Sequence, residues 1–173
     1  MTAYNDNPAP LLLAMYRRLA GTGEAGREPW NPALAVDIAG FRRYRGDWVG
    51  AVVTPWFLRL FVLPGGGELW RAVAPGERLL LEFPAGQLEF VADATPGAEV
   101  PACLYCPLVD SVAGISAQDA ALELAMAAFT TLFSLPALTE EAGEPAAAAL
   151  NKQTEPPKLT DRRGFFRRLA GRA

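Results

Sequence analysis

The sequence predicts a single α+β domain: an antiparallel β-sheet of about five strands, covered by a long C-terminal helix and a short N-terminal helix, with a flexible C-terminal tail. The middle of the chain alternates apolar and polar residues with the period of two that is typical of strands. Short connections rich in Gly, Pro and Asp join these segments, so consecutive strands are expected to pair antiparallel as a meander. A length of 173 residues, 51% of them hydrophobic, suits one such domain with appendages.

The N-terminal helix is predicted over residues 10–20, where it ends before Gly21. Its apolar side chains recur at helical spacing and are Leu12, Met15, Tyr16 and Leu19. Five strand candidates follow, at residues 34–38, 48–53, 56–63, 79–83 and 88–92. The longer Gly-rich connection 64–76 is expected to cover one end of the sheet.

The long helix is predicted over residues 116–134. Ser116 and Asp119 resemble a capping box at its start. The apolar residues that follow recur at helical spacing and are Leu122, Ala125, Met126, Phe129, Leu132 and Phe133. An antiparallel sheet with many large apolar residues needs a cover, so this helix is expected to lie across one face of the sheet.

The composition changes after the long helix. The folded domain is predicted over residues 1–135, residues 136–160 have little to bury and are expected to form a flexible linker, and residues 161–173 form a basic tail. The net charge of −3 conceals this division. Residues 1–160 carry 11 basic and 18 acidic side chains, whereas the tail carries five arginines and one aspartate.

Composition also restricts the function. The chain has no histidine, which removes Ser-His-Asp and Cys-His nucleophile pairs, imidazole general bases and His-ligated metals, and makes an ordinary enzyme less expected. Its acidic balance disfavours nucleic-acid binding. The apolar run 11–15 follows no basic segment and is too short for a signal peptide or a membrane span. The sequence therefore predicts a cytoplasmic protein without stable membrane insertion, and two cysteines agree with a reducing compartment.

Cys103 and Cys106 form a C-x-x-C motif, which can hold a metal ion or form a redox disulfide. A structural zinc needs four ligands, however, and neither a second motif nor a histidine is present. The favoured interpretation is two partly buried thiols at a turn before Pro107, with no cofactor. Scattered acids are interpreted as solvated surface; they are Asp37, Asp47, Asp93, Asp110, Glu140 and Glu141.

Two aromatic residues stand together in Thr54-Pro55-Trp56-Phe57. Both rings could lie in the core beside a corner made rigid by the proline. Alternatively one of them faces outward, because neighbouring side chains of a strand point to opposite faces. An exposed ring beside a sheet edge would suit peptide binding by strand addition.

The tail contains Asp161-Arg162-Arg163-Gly164-Phe165-Phe166-Arg167, which resembles a twin-arginine export motif. Export signals are N-terminal and continue into a hydrophobic segment, so the block is not expected to act as one. The alternative is a basic amphipathic tail that contacts anionic lipid or nucleic acid.

The centre of the chain resembles the HybE/HupJ family of [NiFe]-hydrogenase assembly chaperones. The similarity runs over residues 31–133, with Thr54-Pro55-Trp56 as its most specific part and Tyr105-Cys106-Pro107-Leu108 as a second; Cys103 departs from the pattern. The resemblance implies a cytoplasmic, non-catalytic accessory protein of an uptake hydrogenase. Its implied partners are the precursor subunits, including the iron-sulfur small subunit with its twin-arginine signal.

The function expected from this resemblance is to hold a hydrogenase subunit precursor, small or large, during maturation and before twin-arginine export. The residues expected to contact the precursor are Trp48, Thr54, Pro55, Trp56, Phe57, Arg162, Arg163, Phe165 and Phe166. The tail is hypothesised to mimic a signal peptide in the chain's own peptide site or in its partner's. Two alternatives stay open: a thiol or metal accessory protein that uses Cys103 and Cys106, and a membrane-surface adaptor that uses the tail.

Overall fold

The computed structural model describes residues 3–22, 30–93 and 102–134. The predicted linker and tail, 136–173, lie outside the described residues, so the domain boundaries stay predictions. The elements, in chain order, are α1 (Ala9–Thr22), β1 (Asp37–Tyr44), β2 (Asp47–Val53), β3 (Leu58–Leu63), β4 (Arg78–Phe83), β5 (Gly86–Asp93), β6 (Cys103–Pro107) and α2 (Gln118–Leu132). Within the described ranges, no helix is long and apolar enough to cross a membrane.

The strands form one antiparallel sheet in the order β1-β2-β3-β6-β5-β4. The α+β class and the antiparallel sheet are confirmed, but six strands replace about five, and the meander is wrong beyond β3. Strand β6 inserts between β3 and β5, so β3 and β4 are not neighbours. β6 was missed because it is central and packs on both faces, which removes the alternation of polar and apolar residues.

The two helices pack on opposite faces of the sheet. On one face, α1 buries Leu12, Met15 and Tyr16 in a cluster with residues of β2, β3 and β6. On the other face, α2 lies across β1, β2 and β3 and buries a row of small residues. Complete burial of Leu12 alone removes enough apolar surface to favour folding by about 1.5 to 3 kcal/mol.

The prediction for α2 was correct in place and for five of its six apolar residues, which lie in the core or pack against it. Its buried residues are Ala121, Ala125, Ala128, Thr131 and Leu132, whereas Met126, expected in the core, is 46% exposed. The small alanine side chains face the sheet and allow the helix axis to approach it closely. The larger side chains therefore lie on the two sides of the helix.

The predicted capping box at the start of α2 is also absent. The helix begins one residue later, its N-cap is Ala117, and no side chain caps it. The Oε1 atom of Gln118 instead accepts a hydrogen bond from the backbone N–H of Ala35, 2.8 Å away.

Asp47 is buried, which corrects the prediction that it lies on a solvated surface. It is 1% exposed, and its carboxylate accepts hydrogen bonds from four backbone N–H groups of the Gly-rich connection, with N···O distances of 2.8 to 3.0 Å. The four donors belong to Gly65, Gly67, Leu69 and Trp70. The carboxylate thus fixes this connection over the β1–β2 turn, at one end of the sheet.

The glycines of this connection are required by backbone packing. A Cβ added to Gly67 would overlap the carbonyl oxygen of Arg45, and one added to Gly65 would overlap that of Gly46. Only glycine at these two positions lets the connection approach the β1–β2 turn closely enough for its N–H groups to reach the carboxylate of Asp47.

We predict that Asp47→Ala lowers the free energy of unfolding by about 3 to 5 kcal/mol, because it leaves four N–H groups without their charged acceptor. Urea unfolding followed by tryptophan fluorescence measures the change. The matched control is Glu68→Ala, an exposed acid of the same connection, for which a change within about 0.5 kcal/mol is expected. Equal effects of the two substitutions would contradict the role of Asp47.

Candidate functional site: an aromatic cleft beside the β2–β3 turn

Thr54 organises the turn between β2 and β3. Its buried Oγ1 accepts hydrogen bonds from the N–H groups of Trp56 and Phe57, at 3.3 and 2.9 Å, and donates to the carbonyl of Phe57, at 3.0 Å. The backbone N–H of Thr54 donates to the same carbonyl. Pro55 fixes φ between these contacts. The threonine and the proline therefore set the direction in which the two aromatic side chains leave the turn.

Asn31 ties this turn to the segment that precedes α2. Its backbone N–H donates to the carbonyl of Pro55 at 2.7 Å, and its Nδ2 donates to the carbonyls of Val112 and Ile115 at 2.8 Å each. Its Oδ1 accepts the N–H of Ala33. Asn31 is 7% exposed, so these bonds form away from water, where an unsatisfied amide would be costly.

The aromatic rings at the turn are largely buried. Trp56 is 9% exposed and Phe57 is 7% exposed, and both contact Tyr16 of α1 edge-on. Of the two open alternatives, the one in which one ring of the pair faces outward is therefore wrong. The exposed ring is that of Trp30, which is 47% exposed and stacks on Trp56 with centroids 5.6 Å apart.

A cleft of about 200 Å³ opens beside the turn on the α1 side of the sheet. The Arg59 guanidinium carbon lies 4.3 Å from the ring centroids of both Phe57 and Tyr105, between the two rings. The lining residues are Trp56, Phe57, Arg59, Tyr105, Pro107, Val109, Asp110, Ser111 and Val112. Aromatic walls with one cation and one carboxylate suit an extended peptide segment that carries apolar side chains.

The structure separates the residues that were expected to act together. Thr54, Pro55, Trp56 and Phe57 share the turn, whereas Trp48 pairs with Leu63 at the opposite end of β2. There the indole Nε1 donates to the carbonyl of Tyr4 at 2.9 Å, and the Arg43 guanidinium lies over the ring. The four tail residues, Arg162, Arg163, Phe165 and Phe166, lie outside the described residues. A partner-binding role for any of these residues stays a prediction.

Sequence reasoning missed Trp30, Arg59 and Tyr105 as parts of the site. Tyr105 belongs to the strand that was not predicted, and Arg59 reaches it only because β3 and β6 are neighbours. Trp30 could have been suspected because it directly precedes Asn31 and Pro32, where the resemblance to the family begins.

The two cysteines do not form a joint site. Both are buried and neither forms a disulfide, and they lie on opposite faces of the sheet, Cys103 with the α1 cluster and Cys106 with the α2 cluster. Three residues along a strand span about 10 Å, more than a disulfide or a shared metal ion bridges. The open alternative of a C-x-x-C metal or redox centre is therefore wrong. No group of three potential metal ligands occurs in the described part of the chain.

The pKa of the Cys103 thiol is raised, first because burial disfavours the thiolate and second because Asp93 lies nearby. The pKa of Tyr16, in the same cluster, is raised for the same leading reason. A thiol with a raised pKa is a poor nucleophile and a poor metal ligand at neutral pH.

These features define an α+β domain: a sheet held between two helices, with an aromatic cleft at one end of the sheet. The family described as "[NiFe]-hydrogenase assembly, chaperone, HybE" matches residues 7–168. The chain belongs to this HybE family of [NiFe]-hydrogenase assembly chaperones, which confirms the resemblance found in the sequence.

The chain is also similar to individual proteins and to one solved structure. The chain is 33% identical over 158 residues to the hydrogenase expression/formation protein HupJ of Bradyrhizobium diazoefficiens, covering 89% of this chain and 90% of that protein. It is 36% identical over 103 residues to a probable rubredoxin, HupJ, of Rhodobacter capsulatus, covering 60% of this chain but only 36% of that longer protein. The solution structure of HybE from Escherichia coli shares the fold, with a TM-score of 0.58 and 21% identity over 90% of this chain and 95% of that chain.

We predict that Cys103 and Cys106 of the folded chain react slowly with a thiol reagent at pH 8 and rapidly after unfolding in urea. The raised pKa of Cys103 also links its thiol to stability. The thiol stays protonated in the folded chain but ionises in the unfolded chain above its ordinary pKa of about 8.5, so this contribution to stability is present below pH 8.5 and declines above it. Two rapidly reacting thiols in the native chain would contradict the burial.

Proposed function

We propose that this chain binds an immature [NiFe]-hydrogenase subunit, small or large, in the cytoplasm during maturation and before twin-arginine export. An extended apolar segment of the precursor occupies the aromatic cleft. The observation that carries the proposal is this preformed cleft, with Trp30 exposed beside it, in a member of an assembly-chaperone family.

The rigidity of the cleft favours binding. Thr54 and Asn31 fix its wall through buried hydrogen bonds, so little conformational entropy is lost there when a partner docks. Aromatic side chains of this kind often dominate the binding energy of an interface.

The polar groups of the cleft give it selectivity. Arg59 is held between two rings, and the exposed Asp110 lies among the lining residues. Polar groups that flank an apolar segment can contact these two side chains, whereas a purely hydrocarbon segment would cover them without offering any polar contact. This pattern fits part of a protein chain better than a lipid tail.

We predict that Trp30→Ala weakens binding of the cognate precursor at least tenfold, because it removes the exposed ring at the cleft. Calorimetric titration with each purified precursor subunit, with and without its signal peptide, measures the affinity and identifies the subunit. Trp30→Phe should retain part of it.

The matched control is Met126→Ala, which removes a side chain of similar exposure, 46%, from α2 on the opposite face of the sheet. Affinity should stay within about twofold, as for most residues outside an interface. If the two alanine variants bound every precursor equally well, the cleft would not be the docking site.

The tail enters the proposal through its sequence alone. Residues 161–173 carry two Arg pairs around Phe165 and Phe166, which resembles the signal peptide of an exported precursor. We propose that the tail competes with the precursor for the aromatic cleft, whose lining includes the acidic side chain of Asp110.

We predict that a chain ending at residue 160 binds the precursor more tightly than the full chain, because the competing segment is gone. Calorimetry on both chains measures the difference, with Arg162→Lys/Arg163→Lys as a control that keeps the charge. Unchanged affinity, together with salt-sensitive binding of the full chain to anionic vesicles, would support a membrane adaptor instead and refute mimicry.

A further inference from the structure

Strand β4 forms one edge of the sheet and has a symmetrical sequence. Among the described residues it pairs with β5 alone. Its residues 78–82 read Arg-Leu-Leu-Leu-Glu, with a leucine at the centre and opposite charges at the two ends. The central Leu80 is 57% exposed, more than Leu11, Trp30 or Met126.

The hydrogen-bond phase of β4 identifies which groups face the open edge. The N–H of Ala92 donates to the carbonyl of Glu77 at 2.8 Å, so Glu77 faces β5. Because the direction alternates along an antiparallel strand, the N–H and C=O groups of Arg78, Leu80 and Glu82 point away from β5.

We propose that β4 pairs antiparallel with β4 of a second copy of this chain, with Leu80 opposite its own counterpart. In this register each Arg78 faces Glu82 of the other copy, twice by symmetry. The three outward residues exchange about six backbone hydrogen bonds with the second strand. The pairing joins two sheets into one continuous sheet and covers both exposed Leu80 side chains. It adds a self-association surface to the precursor-binding role and does not use the aromatic cleft.

Charge complementarity selects this occupant and this register. Arg78 contacts Glu89 and Glu82 contacts Arg45, but the Arg78 and Glu82 side chains remain 68% and 59% exposed and can reach a second chain. A parallel pairing in register would place Arg78 opposite Arg78, which is unfavourable. Charges at an edge usually prevent association. Here they oppose the parallel in-register pairing and favour the antiparallel register centred on Leu80.

The surface is small, so the dimer should be weak and concentration-dependent. Sedimentation equilibrium of the full chain, from about ten micromolar to about one millimolar, should show a reversible change from the 18.5 kDa monomer to a species of twice that mass. Arg78→Glu and Glu82→Arg should each weaken the association about tenfold, because each places like charges opposite one another.

The double charge reversal Arg78→Glu/Glu82→Arg restores opposite charges across the interface and should restore association. Leu80→Lys should abolish it, whereas Met126→Lys on α2 and Trp30→Ala at the cleft should leave it unchanged. Circular dichroism confirms that each variant is folded.

A chain that stays monomeric to about one millimolar, or a double reversal that fails to restore association, would overturn the proposal. If Leu80→Lys reduced precursor binding in a monomeric chain, the edge would serve the precursor and not a second copy. The precursor affinity of Trp30→Ala tests the cleft independently: weaker binding by this variant supports the cleft as the docking site whatever the oligomeric state.

Discussion

Strand β6 holds the two halves of the sheet together. It pairs with β3 on one side and β5 on the other, and among the described strands it provides the backbone hydrogen bonds that join the β1–β2–β3 unit to the β4–β5 hairpin. An isolated hairpin is only marginally stable in water. Its side chains also serve both faces: Leu104 and Cys106 pack under α2, whereas Cys103 packs with α1. The same alternation places Tyr105 beside Arg59 in the cleft.

Buried polar groups organise the two ends of this sheet. At one end the carboxylate of Asp47 collects four N–H groups; at the other, Asn31 and Thr54 satisfy the carbonyls and N–H groups of the β2–β3 turn. In both cases the backbone of an irregular segment is buried. Its N–H and C=O groups have no strand partner there, so these side chains supply the hydrogen bonds that water would otherwise make. The Gly-rich connection and the cleft are thus rigid for the same physical reason.

The sequence predicts the parts of this fold that depend on local pattern. Helical spacing located α1 and α2, and alternation located the paired strands β2–β3 and β4–β5. It did not predict β6, because a central strand has no polar face. It also missed the burial of Asp47, because the four donors lie about 20 residues away and belong to a loop whose path is set by tertiary packing. For the site, the motif around Trp56 predicted the turn that carries the aromatic rings. The exposed ring belongs to Trp30, which stacks on Trp56 from 26 residues away in the chain, and a local pattern does not show such a contact.

The cleft and the β4 edge are related by the register of the sheet. Val91 pairs with both Tyr105 and Arg78, so Pro107 and Leu80 stand two strands apart at nearly the same level. Alternation places Tyr105 and Leu80 on the same face. A two-fold axis would relate the two copies in an antiparallel β4 pairing, so each copy would contribute one cleft to the dimer. A dimer would therefore offer two cleft sites to one large precursor, and simultaneous contact with both would strengthen binding without any new contact in either cleft.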